Sequence, residues 1–361
     1  MKIAPPDISI VVQGPISGTP SDSAVARLTL RCLESVRRQL PGAEIILSTW
    51  KGSDLSGLPF DTVIENDDPG ALRLDDMLRS HIQFYYNANR QIVSTRNGLR
   101  AATRPYAMKL RSDMILTGTG FLSLFGRYEK RAADWSILRA RVIASTFFSR
   151  NPRKRYPYAF HPSDWFHFGY LEDVSDLWEI PLAGDEIPRW FETHPRPAGD
   201  TEAWAMYRYT VEQYIWTAFL RKHGPVHFDH KRDTSNSAVA LSELTIANNL
   251  VLGEVRMLGL EFPKYPVSLA NQVTLYTHAE WQQLYQRYCD PAFRPAVNIE
   301  AASRRARFAA ESAREFFLSP RNTRIGRTLS TGVERRFPRS FRLMKRSYSS
   351  LVNSFASRVR G

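Results

Sequence analysis

The stretch Asp7-Ile8-Ser9-Ile10-Val11-Val12-Gln13-Gly14-Pro15 constrains the fold more than any other. It is short, rich in β-branched residues and stopped by Gly-Pro, so it reads as a buried strand ending in a turn. A helix is expected next, with Ser21, Asp22 and Ser23 as cap residues and Leu28, Leu30, Leu33, Val36 and Leu40 as its apolar face. Pro41-Gly42 ends it, and residues 43–50 and 62–66 read as two further strands. Residues 87–103 have helical spacing, with Ile92, Leu99 and Ala102 on one side, and residues 106–116 form one more strand. Strands that alternate with helices in this way predict an α/β fold with a mixed, mostly parallel sheet flanked by helices.

Ligands of such open sheets bind beyond the carboxyl ends of the strands. Gln13-Gly14-Pro15, Asn66-Asp67-Asp68 and Arg111-Ser112-Asp113 all fall at such ends, so three polar clusters converge on one rim. Further along, residues 156–197 are rich in aromatics and proline and read as long functional loops. Residues 201–222 and 241–252 are expected to be helices.

Charge divides the chain. The net charge of +13 over 361 residues comes almost wholly from residues 301–361, which carry 15 Lys+Arg against 3 Asp+Glu. The first 300 residues hold 34 basic and 33 acidic side chains, which argues against a nucleic-acid-binding core. Two parts are therefore expected: a catalytic domain over 1–300 and a basic helical tail over 301–361. In the tail Ile325, Leu329, Val333, Phe337, Phe341, Met344, Tyr348 and Val352 recur at helical spacing with arginines between them, and Pro338 should kink the helix. A basic amphipathic helix of this kind suits an anionic membrane surface. No apolar run approaches the ~20 residues of a membrane-spanning helix. With no apolar leader and only Cys32 and Cys289, the expectation is a cytoplasmic protein, peripheral on the inner face of the inner membrane.

Several constellations carry chemistry, each beside a plainer reading. Asp113 after Arg111-Ser112 is placed to hold Mg²⁺ or Mn²⁺, ions that use few protein ligands and take the rest from phosphates. Its plainer role is to cap a turn in an ion pair with Arg111. Asp67 and Asp68 join it if they share the rim, but Asp67-Asp68-Pro69-Gly70 is also ordinary turn sequence. The run His161-Pro162-Ser163-Asp164-Trp165-Phe166-His167 sets a carboxylate among aromatics. That is how sugar rings, apolar on their faces and hydroxylated at their edges, are held. Glu212 lies in an otherwise apolar helix, where a partly buried carboxylate can be tuned as a general base. His230, in a His- and Asp-rich turn, is a candidate late metal ligand.

Taken together, these blocks resemble the WavE lipopolysaccharide-synthesis family. The resemblance is carried by residues 9–16, 43–50, 66–70, 87–91, 109–114, 161–165 and 212–214 and by Asn248-Asn249, in order. It implies a GT-A-like glycosyltransferase that moves a sugar from a nucleotide-sugar donor to a glycan or lipid-linked glycan acceptor. It implies that Gln13, Gly14 and Pro15 approach the nucleoside, and that Arg111, Ser112 and Asp113 stand at the usual Asp-any-Asp position. Only the last carboxylate of that motif is present, so Arg111 is an alternative source of positive charge for the diphosphate. Arg90 is a second diphosphate candidate, Trp165 a donor-sugar contact, and Glu212 or Asp164 the general base, Glu212 preferred. Two rivals stand beside this reading. One is nucleotidyl transfer to a sugar phosphate, disfavoured because no Lys or Arg follows the first strand before Arg27. The other is an inactive assembly scaffold.

Overall fold

Ile8–Gln13 forms the central strand β1, and every residue in it is buried. In this computed structural model residues 3–17, 27–75, 83–154, 157–195, 207–263 and 274–295, together with Arg336, are described. The basic tail expected over 301–361 therefore lies outside the described residues, Arg336 excepted.

After β1 come α1 (Leu28–Gln39), β2 (Glu44–Trp50) and β3 (Thr62–Asn66). Leu28, Leu33 and Val36 of α1 are buried as the spacing predicted, but the helix begins only at Leu28, with Arg27 as its N-cap. The expected cap residues Ser21, Asp22 and Ser23 are outside the described residues. A hairpin of β4 (Leu72–Asp75) and β5 (Gln83–Tyr86) leads into α2 (Ala88–Arg100) and β6 (Tyr106–Arg111). Gly98 lets α2 lie close on the sheet. A Cβ there would stand 2.4 Å from Val11 Cγ1, so no other residue fits without a shift.

β1 pairs in parallel with β2 on one side and with β6 on the other, so the strand order reverses between β1 and β6. The seven-stranded sheet continues through β8 (Val142–Ser145), β9 (Phe166–Tyr170) and β10 (Leu250–Gly253) in the order β3-β2-β1-β6-β9-β8-β10. Only β9 runs antiparallel to its neighbours. This is the mixed, mostly parallel sheet flanked by helices that the sequence predicts.

Local expectations were revised in four places. The strand over 106–116 ends at Arg111, turns at Ser112-Asp113, and resumes as β7 (Ile115–Leu116), which pairs with β11 (Leu260–Glu261). The turn is what brings Asp113 back against Arg111. Residues 156–197 are not mainly loop: they hold β9, α3 (Leu171–Trp178) and α4 (Glu186–Thr193). β9 does alternate Phe166, Phe168 and Tyr170 with His167 and Gly169, but the pattern is too short to stand out in a stretch rich in aromatics and proline. The helix expected over 201–222 is α5 (Val211–Arg221), which starts late because Thr210 caps it. The Thr210 hydroxyl accepts from Gln213 N, and the Gln213 side chain accepts from Thr210 N in return. The helix expected over 241–252 is α6 (Asn236–Asn249), started by Ser235. Its last expected turn is instead β10, because Leu250 to Gly253 pair with β8. The short α7 (Val255–Leu258) and α8 (His278–Tyr288) complete the described elements.

Candidate active site

The order reversal between β1 and β6 opens a crevice at their carboxyl ends, where α/β sheets bind ligands. Gln13 and Arg111 sit side by side there. Ser112 N–H donates to the Gln13 carbonyl at 2.9 Å and Ser112 Oγ to the Pro15 carbonyl at 2.7 Å. Gly14, at φ +122°, makes the turn possible, and a Cβ on it would come within 3.1 Å of Ser112 Oγ. The Gln13 amide oxygen accepts from Ser94 Oγ of α2. The Gln13-Gly14-Pro15 and Arg111-Ser112-Asp113 clusters thus form one rim, as expected.

β9 runs the opposite way, so its beginning reaches the same rim. Leu110 faces Phe166, which sets Trp165 and Asp164 beside Arg111. The Arg111 guanidinium lies 4.1 Å from the centre of the Trp165 ring, and Trp165 stacks on Phe148 with centroids 4.7 Å apart. Arg111 also clasps Asp113 with two parallel bonds of 2.9 and 2.7 Å.

Beneath that rim lies an unusual set of charges. Lys109 is fully buried, donates from Nζ to the Asp164 carbonyl, and lies 4.8 Å from the Trp178 ring. Burial brings its ammonium down to about 7, against the pull of Asp164. The Asp164 side chain is buried too, and among the described residues neither carboxylate oxygen has a hydrogen-bond partner. Burial first, and then the charge of Glu212, push the Asp164 carboxyl above its ordinary range, while Lys109 and Arg111 pull it back. Glu212, in the first turn of α5, is likewise raised, chiefly by burial. Two repelling acids in one site do not ionise independently. Glu212 retains 15% side-chain exposure, so it is the carboxylate that an incoming group can reach.

His161 completes the set. Its Nε2 lies 3.5 Å from Glu212 Oε2, and burial holds the ring down to about 3, so it is neutral near pH 7. Its Nδ1 has no partner among the described residues. His167, by contrast, is satisfied: it contacts the Ser163 carbonyl through Nε2 and accepts from Trp178 Nε1 at Nδ1. Phe148 and Phe160, which border the segments carrying Arg150 and His161, hold φ of +65° and +55°. Bulky residues rarely accept that conformation, and such strain collects at functional sites.

The remaining candidates lie apart from this centre or are already paired. Asp68 and Arg90 hold each other through bonds of 2.6 and 2.8 Å at the edge strand, and Asp67 pairs with Lys51. Both acidic groups behave as the turn reading has it: Asp68 also accepts from Gly70 N–H. His230 accepts from Arg232 N at Nδ1 and packs against Phe191. Asp113 is engaged by Arg111, and among the described residues no group of three His, Cys, Asp or Glu is disposed to hold a metal. Sequence reasoning missed Lys109 and Arg150 as site residues and quoted His161 without assigning it a role. The signal for Lys109 was present: a lysine inside a strand whose neighbours are all apolar must be either exposed or held by a counter-charge.

Fold and rim together define an α/β protein with a mostly parallel sheet and with acids and cations gathered at its topological switch point. The chain belongs to the family described as WavE lipopolysaccharide synthesis, whose sequence profile matches residues 8–313. No curated protein matches it. Among solved structures it is similar to an inositol-1-phosphate CTP transferase from T. maritima, at 10% identity over 67% of this chain and 97% of that chain, with a TM-score of 0.28. A 4-diphosphocytidyl-2C-methyl-D-erythritol synthase from Anaerococcus prevotii DSM 20548 gives 12% identity, 60% and 98% coverage and a TM-score of 0.27. Likeness at that level carries no argument about chemistry. Among the described residues no helix is long and apolar enough to cross a membrane.

Proposed function

We propose that this protein is a glycosyltransferase, moving a sugar from a nucleotide-sugar donor to a glycan made in lipopolysaccharide synthesis. The observation that carries the reading is the pair Asp164 and Glu212, buried together beside Lys109 and Arg111 at the rim between β1 and β6. In this reading the nucleotide lies over Gln13-Gly14-Pro15 and Ser112, and Arg111 stands beside the diphosphate. The acceptor oxygen attacks the anomeric carbon, and its proton passes to Glu212. The anomeric carbon–oxygen bond breaks, and its electron pair leaves with the nucleoside diphosphate, whose charge Arg111 matches. Trp165 offers the donor sugar an aromatic face. Asp164, whose carboxyl is raised above its ordinary range by burial and then by the charge of Glu212, is a polar contact for the sugar rather than a second base.

The reading requires a nucleotide site that exists before any acceptor arrives. Saturating nucleoside diphosphate is expected to stabilise the folded chain, by about 2.7 kcal/mol at a hundred times its Kd. Thermal unfolding across a panel of nucleoside diphosphates and nucleotide sugars checks this. If no member of the panel raises the transition temperature, the donor assignment is wrong.

A further inference from the structure

His161 takes no part in the chemistry above, yet several contacts seat it. Gln213, the residue after Glu212 in α5, donates from Nε2 to the Ala159 carbonyl at 2.7 Å. Phe160 N–H donates to Ser242 Oγ of α6 at 2.7 Å, and Arg150 N–H to the His161 carbonyl at 2.9 Å. Ser163 N–H donates to Ser149 Oγ at 2.9 Å. Residues 159–163 are thus pinned on both sides of the ring to α5, α6 and the loop after β8. Within this clasp Phe160 holds φ +55°, a conformation that an aromatic residue keeps only where its surroundings impose it.

The outcome is a buried imidazole set against a carboxylate, with Nε2 3.5 Å from Glu212 Oε2. A carboxylate only accepts hydrogen bonds, whereas a neutral imidazole has one N–H and one bare nitrogen. With Glu212 ionised, the ring proton therefore belongs on Nε2, where it meets the carboxylate. The Phe148 carbonyl also acts on the ring, but Nδ1 makes no hydrogen bond among the described residues. Burial keeps the imidazole neutral, so it does not compete with Glu212 for a proton near pH 7.

We propose that His161 is a positioning residue for the base: its Nε2–H holds the Glu212 carboxylate in the orientation that meets the acceptor. The assignment rests on Glu212 being the group that takes the acceptor proton. The other groups that act on Glu212 are Asp164 just before β9, Arg111 at the end of β6, Arg150 in the loop after β8, Tyr86 at the end of β5 and the Thr210 hydroxyl at the head of α5. All of them are left in place by the variants that follow.

His161→Phe keeps a buried ring and loses the donor, and His161→Leu serves if the phenylalanine variant does not fold. His161→Gln loses the ring and keeps an amide N–H at about the reach of Nε2. The full chain is labelled with ¹³C at its glutamate carboxyls, and the Glu212 signal is identified by its absence from Glu212→Gln. Its titration is followed by NMR, which needs no ligand, and the pH profile of sugar transfer is recorded on the same proteins. In His161→Phe the Glu212 carboxyl is expected to titrate at higher pH, because its ionised form has lost a donor. The rising limb of the rate should move with it. Below that limb kcat should fall about tenfold or more, the scale of a lost hydrogen bond to a charged group, while the donor KM holds. His161→Gln should return both the titration and the limb most of the way to wild type. A Glu212 titration unmoved by His161→Phe overturns the proposal. So does a His161→Gln variant that behaves like His161→Phe, which would leave the ring a packing role alone. If the titration moves and the rate limb does not, the contact stands but Glu212 is not the base, and the positioning role falls with the transfer reading on which it rests.

Discussion

Replacing Glu212 by Gln is expected to lower the rate of sugar transfer by about 10²–10⁴, the usual range for loss of a general base. Nucleotide binding should survive, because in this reading the nucleotide is held by Gln13, Gly14, Pro15, Ser112 and Arg111, and Glu212, on α5 with His161 beside it, meets the acceptor instead. The same variant should alter the pH profile. A base works only when ionised, so the wild-type rate should rise with pH as Glu212 loses its proton. Burial raises that carboxyl, so the limb should lie above the ordinary carboxylate range. In Glu212→Gln the limb should vanish. Asp164→Asn is the informative contrast. If Asp164 holds the shared proton, an amide is a near-isosteric replacement for the protonated acid, and the variant should keep far more activity than Glu212→Gln. A reversed order of the two effects would move the base assignment to Asp164.

The second large effect concerns stability. Lys109→Met removes the buried ammonium that faces Asp164 and donates to its carbonyl while keeping a stem to pack against Trp178. The buried Asp164 carbonyl then loses its donor and the neighbouring carboxyl a nearby positive charge, which costs about 1–3 kcal/mol. The denaturant midpoint should fall accordingly. Adding Asp164→Asn to Lys109→Met should recover much of the loss, since the stranded acid is then gone. A midpoint unmoved by Lys109→Met would mean that the pair stores no interaction energy. A double variant no better than the single one would mean that Lys109 acts through packing alone.

How far the sequence spoke for the structure depended on what kind of signal each residue gave. β1 was legible because five apolar or small residues, Ile8 to Val12, followed by Gln13 and Gly-Pro admit few conformations, and β3 because Thr62-Val63-Ile64 is bounded by turn residues. The rim followed from strand ends alone. The same logic misjudged β9 and β10. β10 is buried on both faces and shows no alternation, the alternation of β9 is only five residues long, and each strand is joined directly to a helix. Asp164 and Glu212 were singled out because carboxylates in aromatic or apolar surroundings are costly unless they do something. Their meeting was not legible, since it is tertiary: α5 and the start of β9 are 45 residues or more apart. The Asp68–Arg90 and Arg111–Asp113 pairs show the opposite case. Each charge was visible, but the partner that occupies it appears only once the chain is folded. Arg150 was passed over because its setting, one ring shared with Arg232, joins segments far apart in sequence.

The central claim is sugar transfer at the β1–β6 rim, and the products test it most directly. Purified protein is incubated with a panel of nucleotide sugars and a lipopolysaccharide-derived glycan acceptor, and separately with nucleoside triphosphates and sugar 1-phosphates. The account predicts that one nucleotide sugar is consumed, with one nucleoside diphosphate released for each sugar joined to the glycan, and that Glu212→Gln abolishes this. Pyrophosphate release from the second mixture with nucleotide sugars left intact would contradict it, and so would a folded, nucleotide-binding protein that turns over neither.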